Sequence, residues 1–181
     1  MEKSNKYGKG FIEPLLVGLF LIFIDQAFKT WIVHISGNIY SPQPPILWSF
    51  GGDFFQLIHA RNTGVAFSLG AGLPGPFRIL GFIFMPLVVL TVVLFMYFRD
   101  KTLTSTARWA LALIIAGGLG NILDRIFRPE GVVDMFSVWL PFPLWGDRFP
   151  TFNVADSCVT LGGILLVLTL IWTHKKPANN P

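Results

Sequence analysis

Residues 79–98 contain no charged side chain. A helix needs about 20 mostly apolar residues to cross the hydrocarbon of a bilayer, and this run supplies that length by itself. Backbone amides inside a bilayer must find partners within the protein, so the run predicts a transmembrane helix and argues against an ordinary soluble fold. The stretches 109–123 and 158–173 are shorter in their uncharged part, and each extends into polar residues at one end. Together with an apolar stretch near the N-terminus they predict four spans, at about 11–35, 77–98, 108–127 and 154–173, joined by outer segments 36–76 and 128–153. The expectation is one integral membrane domain over residues 1–181, with Pro86 kinking the second span.

Composition agrees. Charged residues make up 13% of the chain, about half the share usual in soluble domains. A net charge of +4 is compatible with nucleic acid, but the basic residues stand at the ends of apolar runs, where anionic headgroups account for them better. The single cysteine, Cys158, excludes an internal disulfide, and its apolar neighbours predict burial. His34, His59 and His174 lie far apart without ligand spacing, so neither a metal nor another cofactor is expected.

Lys3, Lys6 and Lys9 precede the first apolar run in the manner of a signal peptide. No small-residue cleavage site follows; Asp25, Gln26 and Lys29 come next, and the segment reads as a retained first span. Lys3, Lys6 and Lys9, then Arg99, Lys101 and Arg108, then Lys175 and Lys176 all fall on one side of a four-span chain. The positive-inside rule makes that side cytoplasmic and turns both long connections outward. Those connections carry many aromatic rings, including Trp48, Phe50, Phe54, Trp139 and Trp145, which favour the headgroup zone. Residues 54–69 alternate weakly, with Gly64 allowing a turn or bulge, which predicts a small β-structure on the outer surface.

With this orientation the acidic residues of the spans gather at one depth. Asp25 and Asp124 each lie about 20 Å along their helix from its cytoplasmic start, Asp156 opens the fourth span, and Asp134 follows the third by a short loop. Carboxylates near hydrocarbon are costly and call for a partner or a task. Gly117, Asn121 and Arg125 share one helical face, with Gly118 and Asp124 alongside. The glycines read as a close-packing stripe; for Asn121, Asp124 and Arg125, structural support and substrate contact both stay open. Asp25 and Lys29 are one turn apart and can pair, with Lys29 snorkelling to the surface. Asn62 fits a turn before Gly64 as well as it fits a site. Asp156 fits a helix N-terminal acid, with Asn153 as the cap.

Asp134 has the weaker structural explanation. It lies among Val132, Val133, Met135 and Phe136, where desolvation and a neighbouring carboxylate would both raise its affinity for a proton. Two carboxylates sharing one proton can activate water against a peptide bond. Ser68, Ser137 and Ser157 have no nearby base, and Gly117–Gly120 lacks the lysine and hydroxyl of a phosphate loop. A transporter would need a polar path through the whole bilayer, whereas the cytoplasmic halves of these spans are apolar. A presenilin-type protease would carry a Gly-x-Gly-Asp segment, and a purely structural protein would need no gathering of carboxylates; neither description fits.

Five segments in order, Ile24-Asp25-Gln26 with Lys29, Arg61-Asn62-Thr63-Gly64-Val65-Ala66-Phe67-Ser68, Gly117-Gly118-Leu119-Gly120-Asn121-Ile122-Leu123-Asp124-Arg125, Gly131-Val132-Val133-Asp134 and Phe152-Asn153-Val154-Ala155-Asp156-Ser157, resemble the motifs of bacterial lipoprotein signal peptidase (signal peptidase II). The resemblance implies an all-α polytopic membrane protein, a four-transmembrane-helix bundle with a small periplasmic β-cradle. It implies an aspartic endopeptidase of the inner membrane with Asp134 and Asp156 as its catalytic dyad. Asp25, Lys29, Asn62, Gly64, Asn121, Asp124, Arg125, Asn153 and Ala155 match positions that bind substrate or support the site. The implied substrates are prolipoproteins, cut on the N-terminal side of a diacylglyceryl-modified cysteine. Membrane lipids are the implied surroundings, the cyclic peptide globomycin the implied inhibitor and a monomer the implied state; nucleic acid, metal and cofactor are not implied. Met135 stands where phenylalanine is usual, and residues 137–151 form a long loop rich in proline and aromatics.

Overall fold

A computed structural model of the chain describes residues 9–36, 45–64, 77, 79–142 and 146–174. Four helices dominate it: α1 (Lys9–Ile35), α2 (Leu80–Arg99), α3 (Ser105–Phe127) and α4 (Val154–His174). Each is long and apolar enough to cross a membrane, close to the spans expected from sequence. They are not equivalent. The most apolar stretch of α3 is 50% buried, against 17% for each of the others, so α3 is the axis on which the rest pack. Small residues allow this, since Ala110, Ala112, Ala116, Gly117 and Gly120 keep the α3 surface low. A Cβ on Gly117 would lie 2.2 Å from the Ala155 carbonyl oxygen, so α4 reaches its position only because residue 117 has no side chain. The other helices turn large apolar residues outward, among them Phe23, Phe95 and Leu170.

The second helix opens with a π-helical turn, Leu80–Phe84, in which the Met85 amide donates to the Leu80 carbonyl. Pro86 has no amide to donate, and its ring crowds the carbonyl a turn earlier. A widened turn beside it relieves that conflict, and it stands where a kink was expected. At the other end of α2, Tyr97 donates to the Phe11 carbonyl at 2.6 Å, and the Arg108 guanidinium lies 5.0 Å from the Phe11 ring centre. This clasp ties α1, α2 and α3 together at the end of the bundle away from Asp25, Asp124, Asp134 and Asp156.

The opposite end carries an antiparallel sheet in the order β1 (Ile46–Phe50), β2 (Phe55–Asn62), β3 (Val132–Phe142), β4 (Gly146–Arg148). The expected strand-like segment is present as β2, and residues 65–69 of that expectation lie outside the described ones. Asp134 follows α3 across a short turn, as expected, and sits within a strand. The stretch read as a long loop after residue 137 continues β3 and returns through β4, with Trp139 paired to Arg148. Arg148 fastens that return by donating to the Ser137 hydroxyl and carbonyl and to the Asp53 carbonyl.

Alternation along β3 divides its residues between two faces. Val133 and Met135 pack with Ile32 in a small core under the sheet, which leaves Val132 and Asp134 facing the other way. Gly131 makes the turn into the strand at φ +111°, where a Cβ would lie 2.7 Å from the Asn62 carbonyl oxygen. Only glycine meets both conditions.

Candidate active site

Two local arrangements bring Asp134 and Asp156 together. Pairing of β2 with β3 sets Asn62 opposite Val132, so Asn62 and Asp134 lie on one face as diagonal neighbours. Asn62 Nδ2 donates to Asp134 Oδ2 at 3.3 Å. The second arrangement is a bridge between Phe136 and Phe152, in which Phe152 donates to the Phe136 carbonyl and accepts from the Phe136 amide. It holds the start of α4 against β3.

Asn153 joins the two acids. Its Oδ1 accepts from the Asp156 amide at 2.8 Å, and the Asp156 carboxylate accepts from the Asn153 amide at 3.2 Å, a reciprocal cap on α4. The same side chain donates through Nδ2 to Asp134 Oδ1 at 2.8 Å. Asp156 is therefore both a helix N-terminal acid and a member of the site. Its other oxygen accepts from Asn121 Nδ2 at 2.7 Å. Asn62 likewise fills both roles considered for it, since its Oδ1 accepts from the Gly64 amide in a local turn.

Asp134 and Asp156 line one cavity of about 620 Å³ together with Asn62, Asn121 and Arg125; Phe149, Phe152 and Leu161 form an apolar wall. Asp134 is 1% exposed. Burial first, and then the neighbouring Asp156, push its carboxyl up to about 7, against the opposing hydrogen bonds from Asn62 and Asn153. Arg125 donates to the Asn121 and Gly64 carbonyls and fixes the rim. A smaller cavity of about 220 Å³, reaching Phe82 and Ile83 of the π-helical turn, shares Asn62 and Arg125 with the first. Those two side chains stand as the partition between them.

The remaining acids lie behind the site and do not line the cavity. Asp25 pairs with Lys29 at 2.8 Å, as expected from their spacing, and accepts from the Ala155 amide at 2.9 Å. Lys29 does not snorkel. It is fully buried, because Asp124 Oδ2 stands 2.9 Å from its ammonium on the facing helix and draws the side chain inward. Asp124 also pairs with Arg128 and accepts from the Val133 amide, so it braces α3 against α1 and the foot of β3. Gln26 donates to Asp25, to Asp124 and to the Gly120 carbonyl, and accepts from Arg128. The sequence assigns no role to Gln26 or Arg128; the i,i+4 spacing of Asp124 and Arg128 is the one signal of it that the chain carries.

The signal peptidase (SPase) II family, Peptidase_A8, matches residues 17–172. This chain belongs to that family. Signal peptidase II membership agrees with the order of its five motif segments and with an aspartic peptidase reading of the site. A "lipoprotein signal peptidase" of Borrelia garinii subsp. bavariensis is 40% identical over 181 residues, covering 98% of each chain. That of Borrelia duttonii is 41% identical over 160 residues, covering 88% of this chain and 89% of its own. Among solved structures, a bacterial membrane enzyme determined by the in meso method at 2.3 Å superposes with a TM-score of 0.75 over 93% of both chains, at 24% identity. A second such enzyme, at 1.9 Å, gives a TM-score of 0.67 and 26% identity over 87% of this chain and 92% of its own. The likeness to the first supports the fold; the family match and the Borrelia relatives support the peptidase activity.

Proposed function

We propose that Asp134 and Asp156 are the catalytic pair of this signal peptidase, hydrolysing a prolipoprotein on the N-terminal side of its diacylglyceryl-modified cysteine. The observation that carries this reading is the shared cavity, in which Asn153 donates to both carboxylates. The ionised member of the pair takes a proton from water as the oxygen attacks the scissile carbonyl. The protonated member hydrogen-bonds the carbonyl oxygen as negative charge develops there. Collapse of the tetrahedral species breaks the carbon–nitrogen bond while a proton passes from the pair to the departing amine. A signal peptide ending in a carboxyl group leaves, and the lipidated cysteine keeps a free amino group.

Charge balance supports a single shared proton. Lys29, Arg125 and Arg128 face the four carboxylates Asp25, Asp124, Asp134 and Asp156 in and behind the site. One proton held by the pair makes this cluster neutral, which is the inexpensive state in low dielectric. The two groups titrate as a unit. Asn62, Asn121 and Arg125 border the cavity where a substrate backbone would lie, and the apolar wall suits acyl chains. The distribution of lysine and arginine supports cytoplasmic termini and a cavity on the periplasmic side of the inner membrane. All the groups invoked come from one chain, so a monomer of one domain suffices. Globomycin would act by filling the same cavity.

The test is to incubate the purified protein with a lipidated precursor and with its unlipidated twin. Cleavage of the lipidated form alone, before the cysteine, is expected. Asp134→Asn and Asp156→Asn should each give a folded protein without activity. Normal turnover by either variant would remove the pair from this role, and equal cleavage of both precursors would remove the lipid requirement.

A further inference from the structure

We infer that Lys29 is a positioning residue for the dyad, acting through the side-chain amide of Asn121. The inference rests on the catalytic pair proposed above. Lys29 touches neither carboxylate of that pair and does not line the cavity. It is an ammonium, able only to donate. One of its hydrogen bonds goes to Asn121 Oδ1 at 3.2 Å, and that oxygen also accepts from Asn153 Nδ2 at 3.2 Å.

An asparagine amide has two faces, and which face it turns to a carboxylate decides whether it donates or repels. With two donors on its oxygen, Asn121 must turn its NH2 toward Asp156 Oδ1, the 2.7 Å bond. Asn153 is fixed in the same sense, since the Asp156 amide holds its oxygen and its Nδ2 faces Asp134. The buried cation thus reinforces the direction of the Asn121 amide, which ends on Asp156, beside an Asn153 amide that its own helix cap directs to Asp134. Asp25 and Asp124 hold the ammonium in place at 2.8 and 2.9 Å. This gives the ion-pair cluster a role in the chemistry in addition to joining helices.

The charged and titratable groups around Asp156 are Asp134 on β3, Arg125 and Asp124 on α3, and Asp25 and Lys29 on α1. Removing the Lys29 charge, and with it one of the two donors that orient Asn121, takes stabilisation from the ionised form of the pair. The acidic limb of the pH profile of kcat/KM should then move to higher pH.

Lys29→Met leaves two buried aspartates short of a cation, so it is studied together with Asp25→Asn/Lys29→Met, which keeps the net charge and leaves an acceptor for the Ala155 amide. Asn121→Asp is the companion; it keeps an acceptor for Lys29 and Asn153 but presents no donor to Asp156. Folded protein is measured by thermal unfolding in detergent at each pH, and the profile is read as activity per folded molecule. The expected result for the charge-balanced variant and for Asn121→Asp is an acidic limb displaced upward by about one pH unit or more. Turnover at neutral pH should fall by about ten- to a hundredfold, the range for a hydrogen bond to a charged group. Adding Asn121→Asp to the charge-balanced variant should cost less than the two effects multiplied, because both interrupt one path.

An unshifted profile in Asn121→Asp, or in either Lys29 variant, overturns the inference and leaves Lys29 a helix tether. Asp134→Asn and Asp156→Asn are assayed in parallel. If they are inactive while the Lys29 and Asn121 variants keep the native profile, the relay fails and the dyad stands. If either is active, the dyad itself fails.

Discussion

Asn153 donates to Asp134 at 2.8 Å with the same side chain that accepts from the backbone of Asp156 at 2.8 Å. One residue therefore caps a transmembrane helix and sets the spacing of two acids that belong to different elements. Stability and chemistry meet in that amide.

Asn153→Ala should lose on both counts. Removing an N-cap costs about 1 kcal/mol, which lowers the unfolding temperature in detergent. Turnover should drop by more than that loss of stability accounts for, because Asp134 loses a donor and the start of α4 is released. Activity per folded molecule, compared with the melting curve, checks this.

Asp124→Asn should act on the scaffold. Asp124 is fully buried between Lys29 and Arg128, and deleting one member of a buried pair costs about 3–5 kcal/mol. The expected outcome is a protein that melts early and retains cleavage in the fraction that stays folded. Complete inactivity at native thermal stability would contradict this assignment.

Gly117→Ala should separate α3 from α4. The added carbon would lie 2.2 Å from the Ala155 carbonyl oxygen and 2.7 Å from a Val159 methyl group. Overpacking of this kind costs about 1–3 kcal/mol, and here it displaces the helix that carries Asp156. Gly163→Ala, which meets nothing within 4 Å, is the control and should behave as the native protein.

The pH dependence follows from Asp134, whose carboxyl is raised to about 7 by burial and by Asp156. A raised carboxyl favours the folded state while protonated, so its contribution is complete below about pH 4 and is lost as pH rises through about 7. Asp134→Asn should then gain stability relative to the native chain as pH climbs across that window, measured by unfolding from pH 4 to 8. Cleavage by the native enzyme should decline above about pH 7, as the pair loses its shared proton. A native profile still rising beyond pH 8 would contradict the shared-proton mechanism.

Much of this was legible in the chain. The spans follow from uncharged length, and the acids were placed at one end because helical rise converts residue number into depth. The sheet was harder. In β3, Val133 and Met135 flank Asp134 without the polar alternation that reveals a half-exposed strand, because its two faces meet a core and a cavity. Spacing alone sends Lys29 to the surface, because the partner that draws it inward, Asp124, is remote in sequence. Arg128 went unassigned for the same kind of reason: its bonds to Gln26 and Thr30 cross from α3 to α1 and exist only once the helices are packed. Asn62, Asn153 and Asp156 each admitted a bland reading and a functional one, and in the structure the local bond and the bond to the site occur in the same side chain.

Beyond Asn121, α3 meets its neighbours through Leu111, Ala112 and Ile115, packed with Leu90 and Tyr97 and with no charge among them. Such a stopper is poor at conducting ions. A hydrolase that works with water at one rim can thus stay embedded in an energised bilayer without short-circuiting it, leaving the electrochemical gradient intact while each leader is cut.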